Sequence, residues 1–103
     1  MSSSRYFIDF HPDAEEDYSD AYHWYELQEA GLGDGFMSSM RSKLEQIAEH
    51  PETYGSKAKK GFREAIIKDF PYSVVYKVYS KEKSIFINSI HHQKLHPKKK
   101  FRK

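Results

Sequence analysis

The 103-residue sequence contains no cysteine. Disulfide bonds, a thiol nucleophile and cysteine-based zinc sites are therefore excluded. Long apolar runs are missing too, so the sequence predicts neither a signal peptide nor a membrane span. We expect a cytoplasmic protein that folds as one domain over residues 1–103, with flexible ends at 1–4 and at about 97–103.

The first half of the chain has few basic residues and the second half has few acidic ones. The small net charge of +2 therefore conceals two halves of opposite charge. Residues 1–52 hold twelve acidic and three basic side chains, a formal charge of −9. Residues 53–103 hold three acidic and fourteen basic side chains, a formal charge of +11. The second half should therefore attract a polyanion or an acidic protein segment.

Hydrophobic periodicity predicts a strand followed by two helices. Residues Arg5–Phe10 alternate polar and apolar side chains, as a strand does. Pro12 and the acidic residues after it suit the first turn of a helix, which Gly31 ends. Asp34 is the predicted N-cap of the second helix, and Pro51 ends that helix.

A polar, lysine-rich loop over Pro51–Gly61 follows the helices. Three more strands are predicted at Phe62–Lys68, Tyr72–Ser80 and Ser84–His92, and the short turns between them are typical of an antiparallel meander. The order β-α-α-β-β-β indicates an α+β domain in which a helical hairpin covers one face of a small antiparallel sheet. Trp24 and the tyrosines of the first helix are expected in its core.

Basic residues concentrate in two clusters of the second half. The first lies at the start of the second predicted strand and comprises Lys57, Lys59, Lys60 and Arg63. The second follows the last strand and comprises Lys94, Lys98, Lys99, Lys100, Arg102 and Lys103. Cations bind phosphates, and the interleaved aromatic residues Phe62 and Phe101 can stack on unpaired bases. The clusters therefore predict a polyanion site, and the alternative for the C-terminal run is a solvated tail.

Two histidines end the last predicted strand. Because successive strand residues point to opposite faces, only one of the pair can share a face with a given neighbour. His91 alternates with the apolar Ile85 and Ile87, so we place it toward the helices and His92 in the open groove. There a neutral imidazole beside cations could take part in acid–base cleavage of RNA, and the alternative is a polar residue at a strand end. The scattered histidines do not favour a metal site, and we expect no cofactor.

Short motifs spread along the chain carry a resemblance to a known family. They are, in chain order, HWYE, GLGDGF, EHP, FREAIIKDFPYSVVYKV and IFINSIHH. Their order and spacing over Tyr6–Arg102 resemble the RelE/ParE superfamily of toxins from prokaryotic type II toxin–antitoxin (plasmid stabilisation) systems. The resemblance implies the fold predicted above, neutralisation by a cognate antitoxin, and contact with operator DNA only through the complex with that antitoxin.

Two activities occur in this superfamily, and specific positions favour one of them. RelE-like members cut mRNA on the ribosome, whereas ParE-like members inhibit DNA gyrase. RelE-like nucleases place an arginine directly after the aromatic residue that corresponds to Tyr72, and this chain has Ser73 there. They also carry lysines on the preceding strand, where Glu64 and Ile66 stand. Serine cannot replace a planar cation that binds phosphate through several donors.

The resemblance therefore implies a ParE-like gyrase inhibitor with no catalytic residue of its own. In that case the basic residues of both clusters bind a polyanion or the antitoxin. The alternative is a metal-independent, ribosome-dependent endoribonuclease in which Arg63, His92 and Lys94 are the candidate catalytic residues. A third hypothesis is a basic binding module without toxicity.

Overall fold

The computed structural model describes residues 5–94 of the chain. Its elements, in chain order, are strand β1 (Phe7–Phe10), helices α1 (Pro12–Gln28) and α2 (Leu32–Glu49), strand β2 (Ser56–Lys57), a short 3₁₀ turn (Lys59–Gly61), and strands β3 (Arg63–Ile66), β4 (Tyr72–Tyr79) and β5 (Ser84–His92). The predicted α+β class and the helical hairpin are confirmed. The predicted flexible ends and the basic residues that follow Lys94 lie outside the described residues.

The five strands form one mixed sheet in the order β1-β5-β4-β3-β2. Neighbouring strands are antiparallel except β1 and β5, which run parallel. The sequence predicts an antiparallel sheet of four strands, and the difference comes from β2. This strand has two residues, too few for a period-two pattern, yet it adds one reversal of the chain between α2 and β5. Because each successive element reverses direction, the added strand leaves β5 running the same way as β1.

An aromatic cluster fills the space between the helices and the sheet. Phe36 of α2 is fully buried, and its ring centroid lies 5.4 Å from that of Tyr25 and 5.2 Å from that of Tyr72. Tilted and edge-on contacts of this kind add roughly 1 kcal/mol per pair beyond the burial of apolar area. Other buried members of this core are Ala14, Ala21, Met40, Ile47, Ala65, Ile67, Val74, Tyr76, Ile85, Ile87 and Ile90.

Trp24 does not belong to this core, and its predicted position there is wrong. Its side chain is 54% exposed, whereas that of the neighbouring Tyr25 is 8% exposed. Adjacent residues of a helix point about 100° apart, so only one of the two can lie on the buried stripe of α1. Tyr25 occupies that stripe and leaves Trp24 at the surface.

A carboxylate of α1 closes the turn between the two helices. Glu26 accepts hydrogen bonds from the backbone N–H groups of Gly31 and Gly33 at 3.0 and 2.9 Å. Glu26 thus supplies the acceptors that an N-cap side chain otherwise provides. Helix α2 therefore begins at Leu32, two residues before the predicted N-cap Asp34. A Cβ at Gly33 would lie 2.7 Å from Glu26 Oε1 and 2.8 Å from the Tyr22 carbonyl oxygen, so this close approach of the helices requires glycine.

Candidate functional site

A β-bulge in β5 decides which side chains face the helices. Tyr76 of β4 is paired with Ile87, whereas the preceding residue, Val75, is paired with Ser89. One additional residue, Asn88, therefore lies in β5 between the two pairs. A bulge of this kind shifts the alternation of side chains by one position, so the faces exchange at Asn88.

The bulge places His92, not His91, on the side of the helices. His92 is paired with Tyr72, whose ring belongs to the aromatic core, and the two ring centroids are 4.9 Å apart. His91 is paired with Ser73 on the opposite face and is 7% exposed. The predicted orientation of the two histidines is therefore wrong, because it rests on uninterrupted alternation. His92 Nδ1 accepts a hydrogen bond from the backbone N–H of Lys94 at 3.1 Å, which stabilises the end of β5.

The bulged strand is tied to α1 by an acidic side chain. Asp17 Oδ2 accepts a hydrogen bond at 3.1 Å from the backbone N–H of Ile90, two residues after the bulge. A carboxylate that accepts a backbone N–H forms a charge-assisted bond, which is stronger than a neutral one. The acidic face of α1 is therefore not only a solvated surface, since one of its carboxylates fixes the strand that carries both histidines.

We define the outer face as the side of the sheet away from the helices. Alternation and register place the following side chains on it: Glu64, Ser73, Val75, Lys77, Phe86, Ser89 and His91. Ser73 is fully buried, and its hydroxyl donates a hydrogen bond to Glu64 Oε2 at 2.5 Å. The position at which the resemblance to RelE-like nucleases expects an arginine is therefore a buried serine bonded to a carboxylate.

Arg63, a predicted site residue, anchors the segment between α2 and β2. It is paired with Tyr76, so its side chain lies on the helix side of the sheet. Its Nη2 donates to the backbone carbonyl of Glu52 at 2.8 Å and to that of Gly55. The Tyr76 hydroxyl donates to the carbonyl of Pro51 at 2.6 Å in the same segment. Burial raises the pKa of the Tyr76 phenol, and the hydrogen bond with Arg63 partly offsets that rise.

The three candidate nuclease residues do not converge in the structure. Lys94 lies close to the start of β4, because the backbone N–H of the residue before it donates to the carbonyl of Pro71. Arg63 is paired with Tyr76, four residues further along β4 than the partner of His92. Four strand residues span about 13 Å. Arg63 is therefore well separated from His92 and Lys94, and the catalytic roles of all three remain predictions.

The first basic cluster forms the turn of the β2–β3 hairpin. Two backbone hydrogen bonds close this turn, from Ala58 N–H to the Phe62 carbonyl at 2.8 Å and from Phe62 N–H to the Lys59 carbonyl at 3.1 Å. Lys60 and Gly61 have left-handed φ angles of 60° and 81°. We call this end of the hairpin the basic tip. It comprises four lysines, three from the hairpin and one from β4: Lys57, Lys59, Lys60 and Lys77.

Lys77 joins the basic tip through a contact that the sequence does not reveal. Its ammonium lies 4.7 Å from the centre of the Phe62 ring, a cation–π contact. The Phe62 side chain is only 8% exposed and is covered in part by Lys77, so its ring is not available for stacking on bases. The two residues are fifteen positions apart, and only the cross-strand register of β3 and β4 brings them together. Of the second basic cluster, only Lys94 lies within the described residues.

A second surface feature lies on the helix side of the molecule. It is a cavity of about 430 Å³ lined by Phe10, Glu15, Tyr18, Ser19, Tyr22 and Met37. Burial raises the pKa of the Tyr18 phenol, and the carboxylates of Asp34 and Glu26 raise that of Tyr22. Both phenols are thus neutral hydrogen-bonding groups at neutral pH, in a cavity whose walls are mostly aromatic and aliphatic.

Neither a metal centre nor a membrane segment is found in residues 5–94. Histidine and acidic side chains form no group of three or more that could hold a metal ion in this range. None of its helices is both long and apolar enough to span a bilayer.

Three solved structures with a similar fold come from a toxin–antitoxin system or are themselves named as a toxin. A protein of the chromosomal ParDE system from P. aeruginosa is 16% identical with a TM-score of 0.75, over 87% of this chain and 98% of the other. A chain of the RelBE2 toxin–antitoxin complex from Mycobacterium tuberculosis is 14% identical with a TM-score of 0.66, over 88% and 94%. A free mutant of the E. coli toxin RelE is 20% identical with a TM-score of 0.64, over 87% and 85%. These likenesses show the fold.

The sequence itself identifies the family. The profile described as the ParE toxin of the type II toxin–antitoxin system, parDE, matches residues 8–96. The chain therefore belongs to the ParE toxin family, within the RelE/ParE superfamily that its motifs indicate. No curated protein sequence matches it significantly.

Proposed function

We propose that this toxin acts as a binding inhibitor of DNA gyrase and has no catalytic activity of its own. The observation that carries the proposal is the Ser73–Glu64 hydrogen bond on the outer face. A nuclease of this superfamily needs exposed cations at these positions to stabilise the charge that builds on the scissile phosphate. A buried serine cannot do this, and a carboxylate beside it repels phosphate.

Two of the three candidate catalytic groups are engaged in holding the fold. Arg63 donates to two backbone carbonyls, and His92 accepts a backbone N–H through Nδ1 while its ring packs on Tyr72. A general base must reach the proton that it removes, and its partners must be held nearby. The separation of Arg63 from His92 along β4 supports binding over RNA cleavage.

An antitoxin is the second partner in this proposal. The solved relatives include a toxin–antitoxin complex, and the family is that of the parDE pair. The basic second half of the chain suits an acidic segment of such a partner, and the aromatic cavity beside α1 suits its apolar side chains. Operator DNA would then be contacted by the complex through the antitoxin.

Induced expression in bacteria tests the proposal. We expect growth to stop and the DNA-damage response to rise while transcripts stay intact, and co-expression of the neighbouring antitoxin gene should restore growth. Transcripts cut at codon boundaries without a DNA-damage response would contradict gyrase inhibition and support the endoribonuclease. No effect on growth, with the protein shown to be folded and present, would support the module without toxicity.

A further inference from the structure

Three lysines of the basic tip carry their charge at the surface, and the fourth, Lys77, packs its ammonium against the Phe62 ring. The Arg5–Glu49 ion pair, at 3.4 Å, lies far from the tip in sequence. Lys57, Lys59 and Lys60 are exposed. The acidic residue next to the tip on β3, Glu64, accepts the hydroxyl of Ser73. The tip therefore presents positive charge to an external partner, with Lys57 on the helix side of the sheet and Lys77 on the outer face.

Hydrogen bonds hold the backbone that carries these lysines in a fixed arrangement. The two hydrogen bonds between residues 58–62 close the turn, and Arg63 fastens the base of the hairpin to the carbonyls of Glu52 and Gly55. Lys77 is further restrained by its contact with the Phe62 ring. A preorganised backbone loses less conformational entropy on binding than a disordered basic run does.

The chemistry of the tip selects among negatively charged partners. From Ser56 to Phe62 no large apolar side chain is exposed, so the tip lacks the anchors with which a peptide partner usually gains affinity. It also lacks an exposed ring for stacking on unpaired bases, because Phe62 is covered. Lysines are flexible point charges that contact phosphates without reading sequence. These features fit a paired, regularly spaced phosphate backbone.

We infer that the basic tip binds the phosphate backbone of double-stranded DNA, independently of its sequence. The choice of DNA over double-stranded RNA rests on the proposed action on gyrase, whose substrate is DNA. The binding of a paired phosphate backbone at the tip does not depend on that action. In the intact cell the tip would contact DNA held by the target enzyme, while another surface of the toxin contacts the enzyme itself.

Fluorescence anisotropy with a labelled 20-base-pair DNA duplex and the full-length chain tests this inference. The tip variant is the double substitution Lys57→Gln and Lys59→Gln. The matched control is Lys68→Gln with Lys81→Gln, which removes the same charge from exposed positions outside the tip. Lys60 is left unchanged because of its left-handed backbone. The C-terminal lysines are present in every variant, so their contribution cancels.

We expect the wild type and the control to bind DNA with a dissociation constant that rises steeply with salt. The tip variant should bind about tenfold more weakly at about 0.1 M salt, and its slope of log Kd against log salt should be shallower by about two, because two phosphate contacts are lost. Equal losses in the tip variant and the control would overturn the inference, as would no binding of wild type at low salt. Circular dichroism of each variant should show an unchanged fold.

Two competitors decide the chemical class of the ligand. Unlabelled duplex DNA should displace the probe, and polyglutamate of equal charge should displace it far less effectively. Equal displacement by polyglutamate would assign the tip to an acidic protein segment, and stronger displacement by duplex RNA would assign it to RNA. The assay contains no gyrase, so a failure here is separate from a failure of the proposed function.

Discussion

The turn of the helical hairpin is acidic, and the turn of the β2–β3 hairpin is basic. In the first, the Glu26 carboxylate accepts two backbone N–H groups and holds α2 against α1. In the second, the backbone closes the turn by itself, and the lysine side chains extend from it. The two hairpins thus differ in whether the charged side chains of the turn form hydrogen bonds within the protein. A charged group with such bonds stabilises the fold, and an exposed one remains available for binding a partner.

The largest effect is expected from Gly55→Ala, at the base of the basic hairpin. A Cβ there would lie 2.1 Å from the hydroxyl oxygen of Tyr76, which is fully buried and cannot move away. We expect the free energy of unfolding to fall by about 3 kcal/mol through overpacking. Urea denaturation followed by circular dichroism measures it.

Gly35→Ala is the control for this substitution. The nearest atom to its Cβ would be Phe70 Cζ at 3.8 Å, and the residue lies inside α2. Alanine there should leave stability unchanged or raise it by up to about 1 kcal/mol. Similar losses at Gly35 and Gly55 would show that the packing around Tyr76 does not fix the base of the basic hairpin.

A smaller effect is expected from Glu26→Ala, which removes the acceptor for two N–H groups of the acidic turn. Hydrogen bonds to a charged group are worth more than neutral ones, and we expect a loss of about 2 kcal/mol in the free energy of unfolding. Lys59→Ala, in the basic turn, should change stability by less than about 0.5 kcal/mol. Equal effects of the two substitutions, measured by the same denaturation, would remove the distinction between the hairpins.

The smallest effect concerns Tyr22, beside the acidic turn. Its pKa is raised, first by the Asp34 carboxylate and then by that of Glu26, because negative charges disfavour the phenolate. In Asp34→Asn the larger cause is absent, so the pKa should fall toward that of an ordinary tyrosine. An NMR titration of the Tyr22 ring at alkaline pH measures the shift. Asp20→Asn, on an exposed part of α1, is the control and should leave it unchanged.

Local patterns in the sequence were sufficient for the helical hairpin and the four longer strands, β1, β3, β4 and β5. The apolar stripes of α1 and α2 and the alternation in β4 are each properties of neighbouring residues, which periodicity detects. The positions that sequence reasoning missed depend on partners far along the chain. The bulge at Asn88 is defined only against Val75 and Tyr76 of β4, and β2 is defined only by its pairing with β3.

The candidate site was predicted less well than the fold for the same reason. Arg63 has the residue type of a phosphate ligand, yet its surroundings turn it into an anchor for backbone carbonyls. Lys77 has the appearance of an ordinary strand lysine, yet Phe62 brings it to the basic tip. Residue type alone names the chemistry that a side chain can perform, and the register of the sheet decides where that chemistry is placed.

The most direct test of gyrase inhibition is a supercoiling assay with purified gyrase, relaxed plasmid and increasing amounts of the full-length toxin. We expect supercoiling to fall as the amount of toxin increases, and the Lys57→Gln and Lys59→Gln variant to inhibit more weakly than its matched control. Undiminished supercoiling in the presence of excess folded toxin, together with cleavage of mRNA in a ribosome translation reaction, would contradict gyrase inhibition.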